Sequence, residues 1–283
     1  MVQCKNSTYL NNLKKQITIN NSKILNNFYQ KNSLNPWFIT GYTDAEGSFS
    51  IKISKPRHDS RFYVNLIFSI CAEQNKPNLI LMEKLKEFFG VGFISKSGNM
   101  YLYQVVSHNN LGIIHKHFEQ YPLQSTKFIY FKLWCKVLDM ILNKKHLTQK
   151  GFYQILAIKS IFPKGLSSLI KENFTDIPKF IKPEFNPKIE PLNGHWIAGF
   201  VNGDGSFGLN YLKNKNKLGF GCNPSFRISQ HLRDSILLNQ IVYTLKCGYI
   251  KQPYSNRERT DFSVTKFKDL TEIIIPFFYK YTL

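Results

Sequence analysis

The chain has 283 residues and a mass of 33.1 kDa, enough for one large or two small domains with a proper core. Its 38 Lys and Arg exceed its 18 Asp and Glu, so the formal net charge is +20 and the isoelectric point is near 9.7, which indicates a polyanionic partner such as nucleic acid. The sequence has no run of 18 apolar residues, which excludes a hydrophobic membrane-spanning helix, and its five scattered cysteines indicate neither a disulfide framework nor a zinc ribbon.

Residues 1–34 form a predicted N-terminal extension that is rich in Asn and Lys and contains no acidic residue. The whole chain has 32 Lys but only 6 Arg, together with 26 Asn, a bias that A/T-rich coding sequences produce. We therefore expect an organellar, mitochondrial origin and an extension that is disordered or partly helical.

Two segments repeat at an offset of 158 residues, namely 35–49 (NPWFITGYTDAEGSF) and 193–207 (NGHWIAGFVNGDGSF). Six of the fifteen aligned positions are identical, whereas ordinary residue usage predicts about one. The spacing is that of a domain, so the chain is predicted to consist of two related halves.

Each repeated segment predicts one helix. Asn35 or Asn193 is suited to cap its first turn, and Gly47 or Gly205 predicts that it ends in a left-handed residue. Small residues four positions apart lie on one face of each helix and allow two backbones to approach closely. These are Gly41 and Ala45 in the first copy and Gly199 and Gly203 in the second. We therefore expect the two helices to pack through these faces, closest at the first glycine of each pair.

Helices packed in this way would bring two acids, Glu46 and Asp204, side by side at equivalent helix ends. A carboxylate at a helix C-terminus lies at the negative end of the helix dipole, and a second carboxylate nearby adds repulsion unless a cation is bound. Magnesium takes oxygen ligands and fits this description.

The two segments resemble the signature of the LAGLIDADG homing endonucleases, in the form that carries two copies in one chain. Ile39–Gly47 and Ile197–Gly205 align with the nine-residue motif, and the resemblance places the catalytic acids at Glu46 and Asp204. A monomeric, intron-encoded protein that cuts both strands of a long double-stranded DNA target is implied.

The same resemblance implies how the metal is held. The two acids would bind Mg²⁺ together with the main-chain carbonyls of Ala45 and Gly203. Water activated by the metal would then hydrolyse the phosphodiester, with each acid serving mainly one strand.

Hydrophobic periodicity predicts the same element order after each motif: two strands, a helix, two strands and a helix. The predicted bounds in the first copy are Ser48–Ser54, Phe62–Ile70, Lys76–Phe89, Phe93–Lys96, Tyr101–Ser107 and Asn109–Tyr121. Those in the second copy are Ser206–Leu212, Pro224–Ser229, Arg233–Lys246, Tyr249–Gln252, Asp261–Thr265 and Phe267–Tyr281. Each copy would thus contain one antiparallel sheet with helices on one face and a polar, basic face on the other.

Two further helices are predicted over Thr126–Asn143 and Thr148–Ile161, before a proline-containing linker over residues 163–192. The predicted domains are therefore 35–162 and 193–283. The fold class is α+β, with two pseudo-symmetric LAGLIDADG repeats, a four-stranded antiparallel sheet in each, and the motif helices packed at their interface.

In the family that the motifs resemble, the two sheets form a saddle on DNA, from which strand side chains read base edges in the major groove or bind phosphates. The candidates in the first half are Lys52, Arg61, Asn65, Lys96 and Gln104, and those in the second half are Asn210, Lys213, Lys217, Arg227, Lys251 and Arg259.

Three more residues match the surroundings of the family's active site. Gln74 and Gln230 follow the two acids by 28 and 26 residues, where the family often has a polar residue that orients water. Lys127 resembles the family's basic residue beside the scissile phosphate, which would stabilise the developing negative charge. At a shift of 160 the partner of Lys127 would fall at position 287, beyond Leu283, so we expect the second half-site to lack this basic residue.

Two other functions are compatible with the sequence. A group I intron RNA maturase would keep the fold to bind intron RNA without a need for cleavage; the two intact acids favour the nuclease, whereas the missing second lysine favours the maturase. A DNA-binding regulator without catalysis gives no reason for paired carboxylates.

Overall fold

The computed structural model describes residues 34–58, 61–213, 220–251 and 258–281. Residues 35–283 form one compact unit. Only Leu34 of the predicted N-terminal extension is described, so the expectation for that extension lies outside the described residues. None of the described helices is long and apolar enough to cross a membrane.

The first half contains α1 (Pro36–Glu46), β1 (Gly47–Ser54), β2 (Tyr63–Glu73), α2 (Lys76–Phe89), β3 (Phe93–Ser97), β4 (Met100–Val105) and α3 (His108–Gln120). It continues with α4 (Lys127–Leu142), a 3₁₀ turn (Lys145–Leu147), α5 (Gln149–Ser160) and the short α6 (Ser168–Asn173). Apart from the 3₁₀ turn and α6, which were not predicted, the element order agrees with the prediction, and most bounds differ by one or two residues.

The second half repeats the order of the first, with α7 (Gly194–Asp204), β5 (Gly205–Lys213), β6 (Phe220–His231), a 3₁₀ turn (Leu232–Asp234), α8 (Ser235–Leu245), β7 (Tyr249–Lys251) and β8 (Arg259–Val264). It is followed by α9 (Phe267–Asp269), a π-helical turn (Leu270–Ile274) and α10 (Ile275–Lys280). Sequence periodicity predicted one helix over these last three segments and gave no sign of the π turn.

Each half contains one four-stranded antiparallel sheet, in the order β1-β2-β4-β3 and β5-β6-β8-β7. The two registers are equivalent: Gly47 pairs with Ile70 in the first sheet, and Gly205 pairs with Ile228 in the second. Both pairs are related by the offset of 158, so the repeat seen in the sequence extends to strand pairing. The predicted α+β fold with two pseudo-symmetric repeats is confirmed.

The motif helices begin as predicted but end differently. Asn35 and Asn193 accept hydrogen bonds from the amides of Trp37 and His195, both at 2.9 Å, and so cap α1 and α7. Gly47 and Gly205 have φ of −80° and −87° with ψ of 154°, which is extended backbone, so the predicted left-handed ends are wrong. Glycine is required for space, because a Cβ atom there would overlap the helix residue four positions earlier.

Aromatic side chains fill the space between each sheet and its helices. In the first half, Phe49 lies 5.3 Å from Phe68 and 5.2 Å from Phe131 of α4, measured between ring centroids. In the second half, Phe226 lies 4.8 Å from Phe207 and 5.5 Å from Phe278. These clusters fix each sheet against a helix that covers it, α4 in the first half and α10 in the second.

The predicted linker packs against the first half. Phe174 lies 5.0 Å from Phe62, and Phe185 lies 5.6 Å from Phe128, measured between ring centroids. Lys182 donates a 2.9 Å hydrogen bond to the hydroxyl of Tyr130. The connection is therefore held along much of its length, and the predicted domain boundary within it stays a prediction.

Candidate active site

The motif helices α1 and α7 pack directly against each other. A Cβ atom on Gly41 would overlap the carbonyl oxygen of Trp196, and a Cβ atom on Gly199 would overlap that of Phe38. Any other residue at either glycine would push the helices apart. The two backbones therefore meet at the first glycine of each predicted pair, and the helices end together.

The shared helix ends bring the two acids together. A Cβ atom on Gly203 would lie 2.9 Å from Cγ and 3.2 Å from Oε1 of Glu46, so the Glu46 side chain covers the residue before Asp204. Burial raises the pKa of Glu46, and the negative charge of Asp204 raises it further. Burial also raises the pKa of Asp204. Two carboxylates in this position favour a bound cation or a bound proton.

The two glutamines predicted near the acids occupy different environments. Gln230 donates a 2.6 Å hydrogen bond to Oδ2 of Asp204, which lowers the pKa of Asp204 against the effect of burial. Gln74 is exposed and donates to the carbonyls of Gly98 and Met100, at 2.6 and 3.3 Å. Gln74 therefore supports the turn between β3 and β4, and its predicted equivalence to Gln230 is wrong.

The strand register explains this difference. Ile228 and Ile70 hold equivalent positions, so the residue equivalent to Gln230 is Ala72, and Gln74 lies two residues further along. The prediction matched the two glutamines by their similar spacing from the acids, 28 and 26 residues, although they occupy different strand positions. In the described structure the first half therefore has an apolar residue at this position.

Lys127, the first residue of α4, reaches the C-terminal end of the first motif helix. Its Nζ donates to the carbonyl oxygens of Thr43 and Ala45, at 2.9 and 3.1 Å. Burial lowers the pKa of Lys127, and the charges of nearby acids, Asp204 and Glu46 among them, act in the opposite direction. Lys127 thus supplies the cationic group expected beside the acids, while the carbonyl of Ala45, a predicted metal ligand, already accepts one hydrogen bond.

Asp44, which the sequence prediction missed, holds the segment before Lys127. It is 5% exposed and accepts hydrogen bonds from the amides of Gln124 and Ser125 at 2.8 and 3.2 Å, and from the indole nitrogen of Trp196 at 2.9 Å. The hydroxyl of Ser125 donates to it at 2.6 Å. The signal available in the sequence was an acid two residues before Glu46, in a helix with no other acid.

A cavity of about 490 Å³ opens beside these groups. Its lining includes Asp44, Ala45, Lys127, Asp204, Gln230 and Arg259. The positive charge of Arg259 lowers the pKa of Asp204. A phosphate entering this cavity would meet the basic side chains of Lys127 and Arg259 beside Asp204.

Most of the DNA-binding candidates lie on the polar faces of the two sheets. Lys52 and Asn65 are exposed and directly opposite each other on β1 and β2. Further members on these faces are Gln104, Asn210, Arg227, Lys251 and Arg259. Arg61 is exposed just before β2, with its guanidinium 5.8 Å from the ring of Tyr63. Nε of Arg227 is buried with no hydrogen-bond partner among the described residues.

Lys96 lies on the opposite face from that predicted. It pairs with Tyr101, which pairs with Ala72, so it has the parity of the residues facing the helices, and its Nζ lies 5.8 Å from the Tyr101 ring. Alternation along β3 would place Phe93 and Ser95 on the polar face instead. Lys213 ends β5 but its side chain is not described, and Lys217 lies outside the described residues.

Comparison with known proteins identifies the family. The family model described as LAGLIDADG endonuclease matches residues 39–138 and 197–283. The chain therefore belongs to the LAGLIDADG endonuclease family.

Two relatives and one solved structure show how far this similarity extends. The chain is 35% identical over 266 residues to "Probable intron-encoded endonuclease 2" of Neurospora crassa, with 88% of this chain and 56% of the relative aligned, so it spans little more than half the length of that relative. It is 39% identical over 119 residues to a Podospora anserina protein in ND4 intron 1, with 41% of this chain and 26% of that protein aligned. The LAGLIDADG homing endonuclease I-SmaMI bound to cleaved DNA has a TM-score of 0.83 and 38% identity, covering 89% of this chain and 84% of that one. I-SmaMI has also been solved with uncleaved target DNA in the presence of calcium ions.

Proposed function

We propose that this chain is a site-specific DNA endonuclease that hydrolyses both strands of a long double-stranded target and so promotes the mobility of its intron. The observation that carries the proposal is the pair of carboxylates, Glu46 and Asp204, at the ends of two helices in direct backbone contact. The family and the DNA-bound relatives support it. The relatives reported above include none described as a maturase, so the RNA-binding alternative has no comparable support.

A divalent cation, which we propose to be Mg²⁺, fits the donors present. Among the described residues no group of three or more His, Cys, Asp or Glu side chains is placed to hold a metal. Glu46 and Asp204 would therefore bind it with main-chain carbonyls such as that of Gly203, with water and with phosphate oxygens, as Mg²⁺ sites with few carboxylates commonly do. The metal would polarise the phosphate and make water a better nucleophile.

The protein's own groups have separate roles. Gln230 holds the Asp204 carboxylate in one orientation through its 2.6 Å hydrogen bond. Lys127 places a buried amino group near both acids, whose negative charges favour its protonated form, and in that form it would stabilise negative charge that develops on a phosphate. Because its Nζ is fixed by two carbonyls, little reorganisation is needed during the reaction.

The polar faces of the two sheets would bind the DNA. Their basic residues would contact phosphates on both sides of the site, and side chains such as Asn65, Gln104 and Asn210 would read base edges. One chain supplies both acids and both sheets, so we propose that it acts as a monomer. The composition, rich in Lys and Asn and poor in Arg, and the relative in ND4 intron 1 support an intron-encoded, mitochondrial protein.

The decisive experiment uses a plasmid in which the sequences flanking this chain's own intron are joined without it. Wild-type protein with Mg²⁺ should linearise this plasmid and leave the intron-containing form intact. Glu46→Gln and Asp204→Asn should each lower double-strand cleavage by about 10³-fold or more, while DNA affinity stays within a few-fold. Full cutting by either variant would contradict the site, and no cutting by the wild type would contradict the function.

A further inference from the structure

The start of α4 is held by two carboxylates that come from different halves of the chain. Asp44 of the first motif helix accepts hydrogen bonds from the amides of Gln124 and Ser125. Asp234, from the second half, accepts from the next amide, that of Thr126, at 2.7 Å and from its hydroxyl at 3.1 Å. Three successive amides before Lys127 are thus bound by two acids that lie 190 residues apart in sequence.

Asp234 makes this contact instead of the hydrogen bond that an aspartate at a helix N-cap usually makes. It occupies the N-cap position of α8, where an Asp side chain ordinarily accepts from the amides of its own helix, yet it makes no such hydrogen bond. Asp234 is 7% exposed, and it also accepts from Nε of Arg233 at 3.4 Å. The residue at the same position in the first half, Asn75 at the N-cap of α2, does accept from its own helix, from the amide of Asn78 at 2.8 Å, so the two halves differ here.

The contact acts on the residue that follows it. Lys127 comes directly after Thr126, and its amide donates to the hydroxyl of Ser125 at 3.1 Å. The long side chain then passes to the carbonyls of Thr43 and Ala45 at the end of the first motif helix. Its ammonium group can reach both carbonyls only if the first turn of α4 is held in place, and a negative charge near that turn is also favoured by the helix dipole.

We propose that Asp234 is a positioning residue that fixes the start of α4 and thereby holds the Lys127 ammonium group beside Glu46 and Asp204. The second half of the chain would then control the basic group that contacts the first motif helix. The effect on cleavage rests on the proposed nuclease function, whereas the effect on the position of Lys127 does not.

The position of Lys127 can be measured in the full chain without DNA. A brief pulse of acetic anhydride, followed by peptide mass spectrometry, reports the acetylation rate of Lys127 relative to the half-buried Lys159. Asp234→Ala removes both acceptors and should raise the relative rate of Lys127 by about 10-fold or more, the scale of losing one buried hydrogen bond to a charged group. Asp234→Asn can still accept from the Thr126 amide and donate to its hydroxyl, so it should stay within about 3-fold of wild type.

Two further variants separate positioning from loss of structure. Thr126→Val removes one of the two hydrogen bonds without altering Asp234, and it should raise the Lys127 rate even if Asp234→Ala fails to fold. Asp269→Ala, which removes an acid of the same half that pairs with Lys266, should leave the rate unchanged. An unchanged Lys127 rate in folded Asp234→Ala or Thr126→Val, or an equal rise at Lys159, would overturn the proposal.

Cleavage of bound plasmid DNA tests the link to function. Asp234→Ala should slow single-turnover cleavage by about 10-fold with little change in DNA affinity, and it should cause no further slowing in a Lys127→Ala background. Equal slowing in both backgrounds would show that Asp234 acts independently of Lys127 and would overturn the proposal. If the wild type cleaves no DNA, the nuclease function fails, while the labelling result still decides whether Asp234 positions Lys127.

Discussion

The two halves of this protein share a backbone plan but differ in what surrounds each acid. Asp204 in the second half accepts a hydrogen bond from Gln230, while Ala72 occupies the equivalent strand position in the first half. Buried Asp44, two residues before Glu46, corresponds to exposed Asn202 in the second half. The pair of acids is thus nearly symmetric, while the groups that orient it and set its charge are not.

The outer layers differ as well. Phe49 of the first half is 4% exposed beneath α4, whereas its equivalent Phe207 is 64% exposed even though it packs against Phe226 and Phe278. The helix that covers the first sheet also begins with Lys127, so one element both completes a core and supplies the active site. This arrangement shows how a duplicated fold acquires different roles in its two copies through the elements packed around them.

The largest effect is expected from forcing apart α1 and α7, the motif helices through which the two halves meet. Gly41→Leu or Gly199→Leu would place a side chain into the backbone of the partner helix, so each should lower the free energy of unfolding by more than about 3 kcal/mol. Denaturant titration measures this. Gly112→Ala in α3 is the matched control, because a Cβ atom there meets nothing within 4 Å, and it should stabilise by about 0.5 to 1 kcal/mol. Unchanged stability in both leucine variants would show that the helices do not meet.

A buried histidine of the first half gives a second contrast, in pH dependence. Burial lowers the pKa of His117 from 6.5 to about 4, and His117 shares a 3.3 Å hydrogen bond with Thr40. The unfolded chain therefore binds more protons in that range, so stability is complete above the ordinary pKa and is lost as the pH falls.

The equivalent residues in the second half are the apolar pair Phe277 and Ala198. Converting the first half to the same pair, with Thr40→Ala and His117→Phe together, should remove the contribution of His117 to acid sensitivity. Relative to its value at about pH 8, the stability of the variant at about pH 4 should exceed that of the wild type by about 3 kcal/mol. Parallel losses in the two proteins would mean that His117 is not held in its neutral form.

Gln230→Ala would make the second acid resemble the first. Loss of the hydrogen bond should raise the pKa of Asp204, so that, as the pH is lowered, cleavage should be lost at a higher pH than in the wild type. Near neutral pH, one strand should be cut about 10-fold more slowly. A pH–rate profile on end-labelled DNA measures both effects, and nicked product should accumulate. Gln74→Ala should alter neither, because Gln74 bonds the β3–β4 turn.

The smallest expected effect concerns the two faces of the first sheet. Lys52→Ala should weaken binding to all DNA sequences alike and reduce the slope of log affinity against log salt by about 1, as expected for one phosphate contact. Lys96→Ala removes the same charge from the other face and should leave that slope unchanged. An equal effect of the two substitutions would show that the charges act through the net charge alone.

The sequence by itself determined the repeat, the element order, the N-terminal caps of the motif helices and the positions of Glu46 and Asp204. These features depend on local signals, because capping residues and hydrophobic patterns with a period of 2 or 3.6 act within a few residues. The duplication repeats each signal in both halves. The charge of +20 indicated the class of partner in the same direct way.

Only the tertiary structure decided which residues complete the site. Asp44 and Asp234 reach Ser125 and Thr126 across 81 and 108 residues, and no periodic pattern records such contacts. The face occupied by Lys96 depended on strand register, where a shift of one residue reverses every side chain. The difference between Gln74 and Gln230 also depended on register, because the two glutamines lie two positions apart in the register of equivalent strands. Gly47 and Gly205 are glycines because of the helix residues they pass, not because of their own backbone angles. Each of these residue types is compatible with several roles, and long-range packing decided which role each residue has in the site.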